Sequence, residues 1–407
     1  MSQKETTLPT GPLVGIRVVD MTSVLMGPYA TQILADYGAD VIKIEDEKGD
    51  LLRMGGAMRN RGMGQLYLQC NRNKRSVVLD AKSDEGRAAI LRMCETADIF
   101  ISNVRPAAMA RLRLAYEDIC VANPQIVYVS LVGYGQQGTY KARPAFDDLM
   151  QGISGISALI GQAHGVDPQY VPLNLADKIA GITAAHAILA AVLHKERTGR
   201  GQAVEVPMFE TLAQFVLSDH LGGYGFEPPT GPIGYNRLLS RTRRPYATSD
   251  GFLAIVVYTD QHWKQFFELI GRPADYFANP LFHDHATRTR NYDDVHTFLA
   301  AELKNKTTAE WQLALDAHDI PWAAVNGIQD LVEDPHLLSV DLVKTIDHPT
   351  EGQIRTVSSP VNFSLTPSNI YRHPPNHGEH TAEILAEYPS SVAAAMKPTS
   401  PTARGGQ

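Results

Sequence analysis

The first third of the chain alternates between short apolar segments and longer helical segments, and this alternation constrains the fold more than any other feature. It predicts helices over residues 28–37 and 84–96. It predicts five strands, over residues 16–20, 40–45, 76–79, 99–102 and 126–131. Strands that are joined through helices run mainly parallel, because each helix carries the chain back to the end of the sheet at which the previous strand began. We therefore expect an α/β fold with a large, doubly wound, Rossmann-like domain that binds ligands at the carboxyl ends of its strands.

The length of 407 residues leaves room for more than one domain. We assign residues 1–207 to the large domain and residues 208–245 to a linker that contains a glycine-rich loop. Residues 246–325 have a pattern of one strand followed by three helices and predict a smaller α+β domain. Residues 326–388 form a further linker with two short strands, and the Ser-, Ala-, Pro- and Thr-rich tail 389–407 is expected to be disordered.

Composition excludes several classes of protein. The net charge of −7 argues against a nucleic-acid partner, and the N-terminus lacks the apolar core of a signal peptide. No apolar run looks long enough to span a bilayer, so we expect no membrane partner and a cytoplasmic location. The cysteines Cys70, Cys94 and Cys120 are too far apart for a disulfide framework or a CxxC metal site. His283 and His285 are more typical of a solvated loop than of a metal site, so we expect no metal.

Asp177 precedes a run of small apolar residues, 179–193, that predicts a helix. A polar residue directly before such a run is the ordinary signal of a helix N-cap, so the pattern alone is equally well explained by a capping role. The run is followed by the basic segment Arg197–Gln202, a strand-like segment over 203–206 and the sequence Val206–Glu210.

This central block resembles the class III CoA-transferase family, the formyl-CoA transferase and CaiB/BaiF-like proteins. Further similar segments follow the family's order and spacing: Gly15–Thr22, Gly27-Pro28, Leu34–Glu45, Asn73–Ser76 with Leu79-Asp80, Asn103 before Arg105-Pro106, Gly133–Gly135 and Gly378–Thr381. They cover most of residues 12–385. The resemblance implies an enzyme that moves CoA from an acyl-CoA to a small free carboxylic acid, with Asp177 as nucleophile through an anhydride and an aspartyl-CoA thioester.

The same resemblance implies several further properties. The CoA thioester is a substrate, and no cofactor is bound permanently. Two chains form an interlocked homodimer, and residues 326–388 return to the large domain. The residues implied to form the CoA groove are Val24, Leu25, Leu79, Lys82, Asn103, Val104, Arg105, Arg111, Arg143 and Asp147. Arginine and lysine suit the phosphates of CoA, although without the resemblance Lys82 and Arg111 are more typical of ordinary surface cations.

Two positions depart from the family pattern. Leu25 stands where some members have a glutamine over the reacting acyl group, which argues against an oxalate-like or formyl-like substrate pair. Asp46 stands where some members have an arginine near the adenine, and Arg53 is one residue that could take over that role.

Three alternative functions need to be weighed. Related α-methylacyl-CoA racemases use a histidine at the position of Phe146, and phenylalanine cannot transfer a proton. A nucleotide-dependent oxidoreductase rests only on the G-x-G-x-x-G sequence Gly133–Gly138, and Pro144 argues against the helix that this fingerprint requires. A CoA-binding protein without catalysis leaves Asp177 unexplained.

Arg237 and Arg241 lie in a basic segment that also contains Arg243 and Arg244. The segment follows the glycine-rich loop that in the family covers the active site. It is as typical of a solvated linker as of a site. If it is functional, an arginine here could bind the far carboxylate of a dicarboxylic acid with two parallel hydrogen bonds, which would favour succinyl-CoA-type donors or dicarboxylate acceptors.

Overall fold

The computed structural model describes residues 8–389, and these residues divide into two compact units. Unit 1 contains the chain up to residue 150, residues 172–212 and the chain from residue 339 onward, whereas unit 2 contains residues 151–171 and 213–338. Residues 151–171, which the sequence analysis places in the large domain, thus group with unit 2. Residues 390–407 of the tail that is predicted to be disordered lie outside the described residues.

Unit 1 is built on a six-stranded sheet in which all neighbouring strands run parallel. Its strands are β1 (Arg17–Met21), β2 (Asp40–Glu45), β3 (Lys74–Val78), β4 (Ile99–Ser102), β5 (Val127–Val132) and β6 (Gln202–Pro207). They are arranged in the order β3-β2-β1-β4-β5-β6. The predicted doubly wound, Rossmann-like α/β fold is therefore confirmed, and each predicted strand lies within two residues of an observed one.

Burial on both faces explains the apolar composition of the central strands. Val18, Val19, Val41, Ile42 and Phe100 are completely buried, as is usual for a parallel sheet that helices cover on both sides. The helices up to residue 220 are α1 (Met26–Asp36), α2 (Gln65–Cys70), α3 (Asp84–Glu95), α4 (Pro106–Leu112), α5 (Tyr116–Ala122), α6 (Asp147–Ile153), α7 (Ile156–His164), α8 (Leu175–Thr198) and α9 (Met208–His220).

Helix α8 begins earlier than the sequence pattern predicts. Its N-cap residue is Asn174, so Asp177 is the third residue of the helix and not its cap. The helix is long and apolar enough to cross a membrane by length and composition, contrary to the expectation that no such run exists. It packs against α1 and strands β5 and β6, and its buried face consists mainly of alanine. Helices in the cores of other proteins can be equally long and apolar, so length and composition alone do not identify α8 as a membrane span.

Unit 2 combines helices with a small antiparallel sheet. Its strands are β7 (Tyr246–Ala247), β8 (Phe252–Ile255) and β9 (Trp322–Ala324). Its helices from residue 236 onward are α10 (Asn236–Leu239), α11 (Asp260–Leu269), α12 (Pro273–Ala278), α13 (His285–Arg290), α14 (Tyr292–Leu303), α15 (Thr308–Ala317), α16 (Ile328–Glu333) and α17 (Pro335–Ser339). Aromatic side chains, among them Trp263, Phe267 and Trp311, form its core. The predicted smaller α+β part of the fold is confirmed.

The C-terminal part of the chain returns to unit 1, as predicted. It adds a hairpin of β10 (Val343–His348) and β11 (Gly352–Val357) and the helix α18 (Thr381–Glu387). The buried guanidinium of Arg75 on β3 binds Glu383 and Glu387 of α18 at 2.9 and 2.6 Å, as well as Asp40 at 2.7 Å. The last helix is thus tied to the edge of the parallel sheet.

Candidate active site

A cavity of about 250 Å³ lies at the carboxyl ends of the central strands of unit 1. The strand order reverses between β1 and β4, and the loops that leave such a reversal point on opposite sides create a crevice where ligands bind. The cavity is lined by the segment Val24–Met26 after β1, by Asn103 and Arg105 after β4, by the segment 131–133 at the end of β5, by residues of the 136–147 segment, and by Asp177 and Met208.

The loop after β1 is fixed by polar contacts. Ser23 and Asn103 exchange two hydrogen bonds of 3.0 and 2.7 Å, which join the two loops at the reversal point. Val24 has a φ of +67°, a conformation that a β-branched residue rarely adopts. Its N–H donates to the Asp50 carboxylate at 3.1 Å, and Asp50 is in turn paired with the completely buried Lys43 at 2.8 Å.

Asp177 projects from the first turn of α8 toward the first turn of α1. The backbone N–H of Met26, the first residue of α1, donates to the Asp177 carboxylate. This N–H has no partner within its own helix, because the first four N–H groups of a helix point outward. The carboxylate therefore lies against the positive end of the α1 dipole, where a negative charge is stabilised.

The environment raises the pKa of Asp177 to about 7. Burial is the main cause, the negative charge of Asp147 is the second, and the Met26 hydrogen bond opposes both. Asp147, the first residue of α6, also accepts the backbone N–H of Asp177 at 3.0 Å. A carboxyl group with so large a shift in a cavity is a typical feature of a catalytic site.

Gly181 lets the two helices come close enough for the Met26 contact. A Cβ atom at this position would lie 2.9 Å from the Met26 carbonyl oxygen and 3.1 Å from the Tyr29 ring. Gly181 follows Asp177 by one helical turn, on the same face of α8. The spacing of the Asp-Lys-x-x-Gly sequence therefore has a packing reason: the glycine admits the helix end that holds the carboxylate.

Of the residues predicted to form the CoA groove, six line the cavity and four do not. Val24, Leu25, Asn103, Arg105, Arg143 and Asp147 line it together with Asp177. Leu79 and Val104 pack against the apolar core instead. Lys82 and Arg111 are exposed outside the cavity, and their role in binding stays a prediction.

Lys141 and Gln136 also line the cavity, although the sequence analysis does not select them. Lys141 lies two residues before Arg143, whose guanidinium stacks on the Tyr140 ring at 3.8 Å. The concentration of cations just before Pro144 is a signal that could have identified Lys141. The Met26 contact has no such signal, because its donor is a backbone group.

Two sequence hypotheses about individual residues are changed by the structure. Arg53 is buried and binds Glu45 at 2.7 Å, and its guanidinium stacks on the Tyr67 ring at 3.8 Å, so it is not free to replace an adenine-binding arginine. Residues 139–146 form turns and extended chain, and the next helix begins at Asp147. The third glycine of Gly133–Gly138 therefore does not open the helix that a dinucleotide fingerprint requires.

Arg237 and Arg241, the predicted substrate residues, belong to unit 2. Arg237 lines a second cavity there. The guanidinium of Arg241 packs against Gly165 at the end of α7 and does not line that cavity. Among residues 8–389, no group of three or more His, Cys, Asp or Glu is placed to hold a metal ion. His285 lies against the ring of Tyr258, with 4.9 Å between the ring centroids.

Comparison with known proteins places these features in a family. Residues 13–381 match CoA-transferase family III. The chain is 30% identical to succinate–glutarate CoA-transferase of Agrobacterium fabrum, over 92% of this chain and 95% of that protein. It is also 30% identical to the probable fatty acyl-CoA transferase Rv3272 of Mycobacterium tuberculosis, over 94% of this chain and 99% of that protein. The crystal structure of an Asp-to-Ala mutant of Rv3272 covers 93% of this chain and 99% of its own at 29% identity, with a TM-score of 0.81. The chain therefore belongs to CoA-transferase family III and is a CoA-transferase.

Proposed function

We propose that the protein transfers CoA between an acyl-CoA and a free carboxylic acid by covalent catalysis at Asp177. The observation that supports this most directly is the position of the Asp177 carboxylate, in a cavity at the reversal point of the sheet and against the Met26 N–H. Arg105, Lys141 and Arg143 line the same cavity. Cations of this kind suit the phosphates of CoA.

The reaction proceeds by four acyl exchanges. The Asp177 carboxylate attacks the thioester carbonyl, a C–O bond forms, the C–S bond breaks, and CoA leaves as its thiolate. The thiolate then attacks the aspartyl carbonyl of the mixed anhydride, which releases the donor acid and leaves an aspartyl-CoA thioester. The acceptor carboxylate attacks this thioester and expels the thiolate. Finally, the thiolate attacks the acyl carbonyl of the new anhydride, which forms the new acyl-CoA and restores Asp177.

A carboxylate suits this sequence better than a hydroxyl or an amine. A weak carboxylate nucleophile can reopen an aspartyl thioester, whereas a serine ester or a lysine amide would be too stable for the exchange. The Met26 N–H can hold the aspartyl oxygen as it becomes charged in the tetrahedral intermediates. Phe146 lines the cavity beside Asp147 and has no group for proton transfer, which favours transfer over racemisation.

We propose a dicarboxylic acid as the substrate class. Support comes from the relative from Agrobacterium fabrum, which is a succinate–glutarate CoA-transferase. We also propose that the enzyme works in the cytoplasm without a resident cofactor or a nucleic-acid or membrane partner. Fractionation of cells would test the location.

Replacement of Asp177 tests the mechanism. With succinyl-CoA as donor and glutarate as acceptor, Asp177→Ala and Asp177→Asn should lower transfer by at least ~10³-fold, because both remove the nucleophile. Hydroxylamine added to wild-type protein and acyl-CoA should give a mass change on the peptide that contains Asp177. Asp148→Asn, at an exposed neighbouring site outside the cavity lining, serves as the matched control and should transfer normally. Transfer by Asp177→Ala at close to the wild-type rate would refute the mechanism.

A further inference from the structure

Unit 2 contains a cavity of about 310 Å³, and none of the residues that line it lines the cavity around Asp177. It is formed by the basic segment 237–246, by β8 with the residues that follow it, and by helices α13 and α14. We call it the unit 2 cavity. All of its lining residues belong to unit 2.

The walls of the unit 2 cavity are strongly basic. Arg237, Arg243 and Arg244 line it, and among the described residues neither an Asp nor a Glu does so. No carboxylate of the described chain pairs with these three arginines, whereas Arg288, which also lines the cavity, is paired with Asp260 at 2.5 Å. The basic wall stands out in a chain whose net charge is −7.

Neighbouring groups offset this positive charge only in part. The carboxylate of Asp293 accepts hydrogen bonds from the hydroxyls of Ser240 and Thr242, at 2.5 and 3.1 Å. His296 lines the cavity, and its pKa is lowered by burial and then by the charge of Arg237, with Arg243 adding to the effect and Asp293 opposing it. Both arginines thus raise the potential inside the cavity.

The remaining walls are apolar and aromatic. Ile255, Val295 and Leu299 are buried and line the cavity. Arg237 lies near two rings, with its guanidinium carbon 5.9 Å from the centroid of Tyr258 and 5.8 Å from that of Tyr292. Contacts of this kind hold a guanidinium in place while leaving its N–H groups free to bind an anion. A ligand that fills the cavity needs both negative charge and a hydrocarbon body.

We propose that the unit 2 cavity is a binding site for a small free dicarboxylic acid. Its carboxylates bind the guanidinium groups of Arg237 and Arg243, and its methylene chain contacts Ile255, Val295 and Leu299. The choice of acid rests on the proposed function, since a dicarboxylate is the acid that the enzyme is proposed to exchange. Inorganic phosphate would leave the apolar wall uncovered, and a monocarboxylate would leave more of the arginine charge unneutralised.

Calorimetric titration of the full chain without CoA tests the site. Glutarate should bind, while inorganic phosphate and hexanoate should bind at least roughly tenfold more weakly, because each lacks one of the two recognised features. Arg237→Ala and Arg243→Ala should each weaken glutarate binding by roughly tenfold or more. Arg241→Ala is the matched control, since Arg241 belongs to the same segment but does not line the cavity. It should bind glutarate like the wild type.

Circular dichroism of each variant verifies that it is folded, and Arg237→Lys provides a milder change that keeps the charge but loses the paired hydrogen bonds. The proposal is wrong if glutarate does not bind, if phosphate or hexanoate binds as tightly, or if Arg241→Ala weakens binding as much as Arg237→Ala. Asp177→Ala separates this proposal from the mechanism. It should bind glutarate normally while losing transfer, and retained transfer would refute the mechanism without affecting the site.

Discussion

At the scale of single residues, Asp177 is subject to two opposing effects. Burial and Asp147 favour its protonated form, whereas nucleophilic attack requires the carboxylate. A pKa of about 7 keeps a substantial fraction of carboxylate at neutral pH. The same shift makes the carboxylate more basic than an ordinary aspartate, which strengthens it as a nucleophile.

Asp147→Asn should move the pH dependence of transfer toward acid. Transfer requires ionised Asp177, so the rate should fall as the pH drops through the Asp177 pKa of about 7. Removal of the Asp147 charge lowers that pKa, and the acid limb of kcat/KM should shift down by roughly one pH unit. The asparagine oxygen can still accept the Asp177 N–H. Profiles measured from pH 5 to 9 check this, with Asp148→Asn as control, and an acid limb that does not move in Asp147→Asn would contradict it.

The sequence predicts which side chains line the cavity better than it predicts the groups that those side chains contact. Asp177, Asn103, Arg105 and Arg143 are selected by resemblance, and all of them line the cavity. The Met26 N–H, which holds the Asp177 carboxylate, has no sequence signal because every residue except proline carries the same donor. The hypothesis about Arg53 is wrong for a related reason: the sequence shows its charge but does not show that it is buried and paired with Glu45.

At the scale of elements, the contact between α1 and α8 aligns the helix end that holds Asp177. Gly181→Ala would place a methyl group against the Met26 carbonyl oxygen, a backbone atom that cannot rotate away. We expect a loss of stability of about 1–3 kcal/mol from overpacking, and at least a tenfold loss of kcat/KM because the Met26 N–H moves from the carboxylate. Denaturant unfolding and steady-state kinetics measure the two effects.

Gly152→Ala is the matched control for this substitution. Gly152 also lies in a helix, and a Cβ atom there would meet nothing within 4 Å. Alanine favours helix more than glycine does, so stability should stay equal or rise slightly. If Gly181→Ala is as active and as stable as Gly152→Ala, the close contact is not what positions Asp177.

Elements with many periodic apolar residues are predicted well, and short elements are not. Helices α1 and α3 lie within two residues of their predicted limits, 28–37 and 84–96, since several turns of apolar spacing define each of them. Helices α2 and α4–α7 are nine residues or shorter and offer too few turns for a pattern. The start of α8 is wrong by four residues because Asn174 makes no side-chain capping hydrogen bond, so the usual sequence signal does not mark the true first turn.

At the scale of the whole molecule, we expect the chain to form the interlocked homodimer that its family resemblance implies. Large apolar side chains are exposed on the isolated chain, among them Phe146, Phe215 and Phe226, and such side chains often mark interfaces between chains. Light scattering at micromolar concentration should give twice the mass of 44.6 kDa, and dilution should not produce a folded monomer. A monomer mass under these conditions would contradict the expectation.

The return of the C-terminal chain to unit 1 has a consequence for the order in which the protein is made. Arg75 is synthesised early, but its partners Glu383 and Glu387 on α18 come more than 300 residues later. During translation Arg75 can pair with Asp40, but the edge of β3 that α18 covers stays open until almost the entire chain has left the ribosome. Unit 2 ends at residue 338 and can fold before that point. Until α18 is made, the nascent chain therefore offers an open strand edge for wrong pairing in the part of unit 1 that is made first.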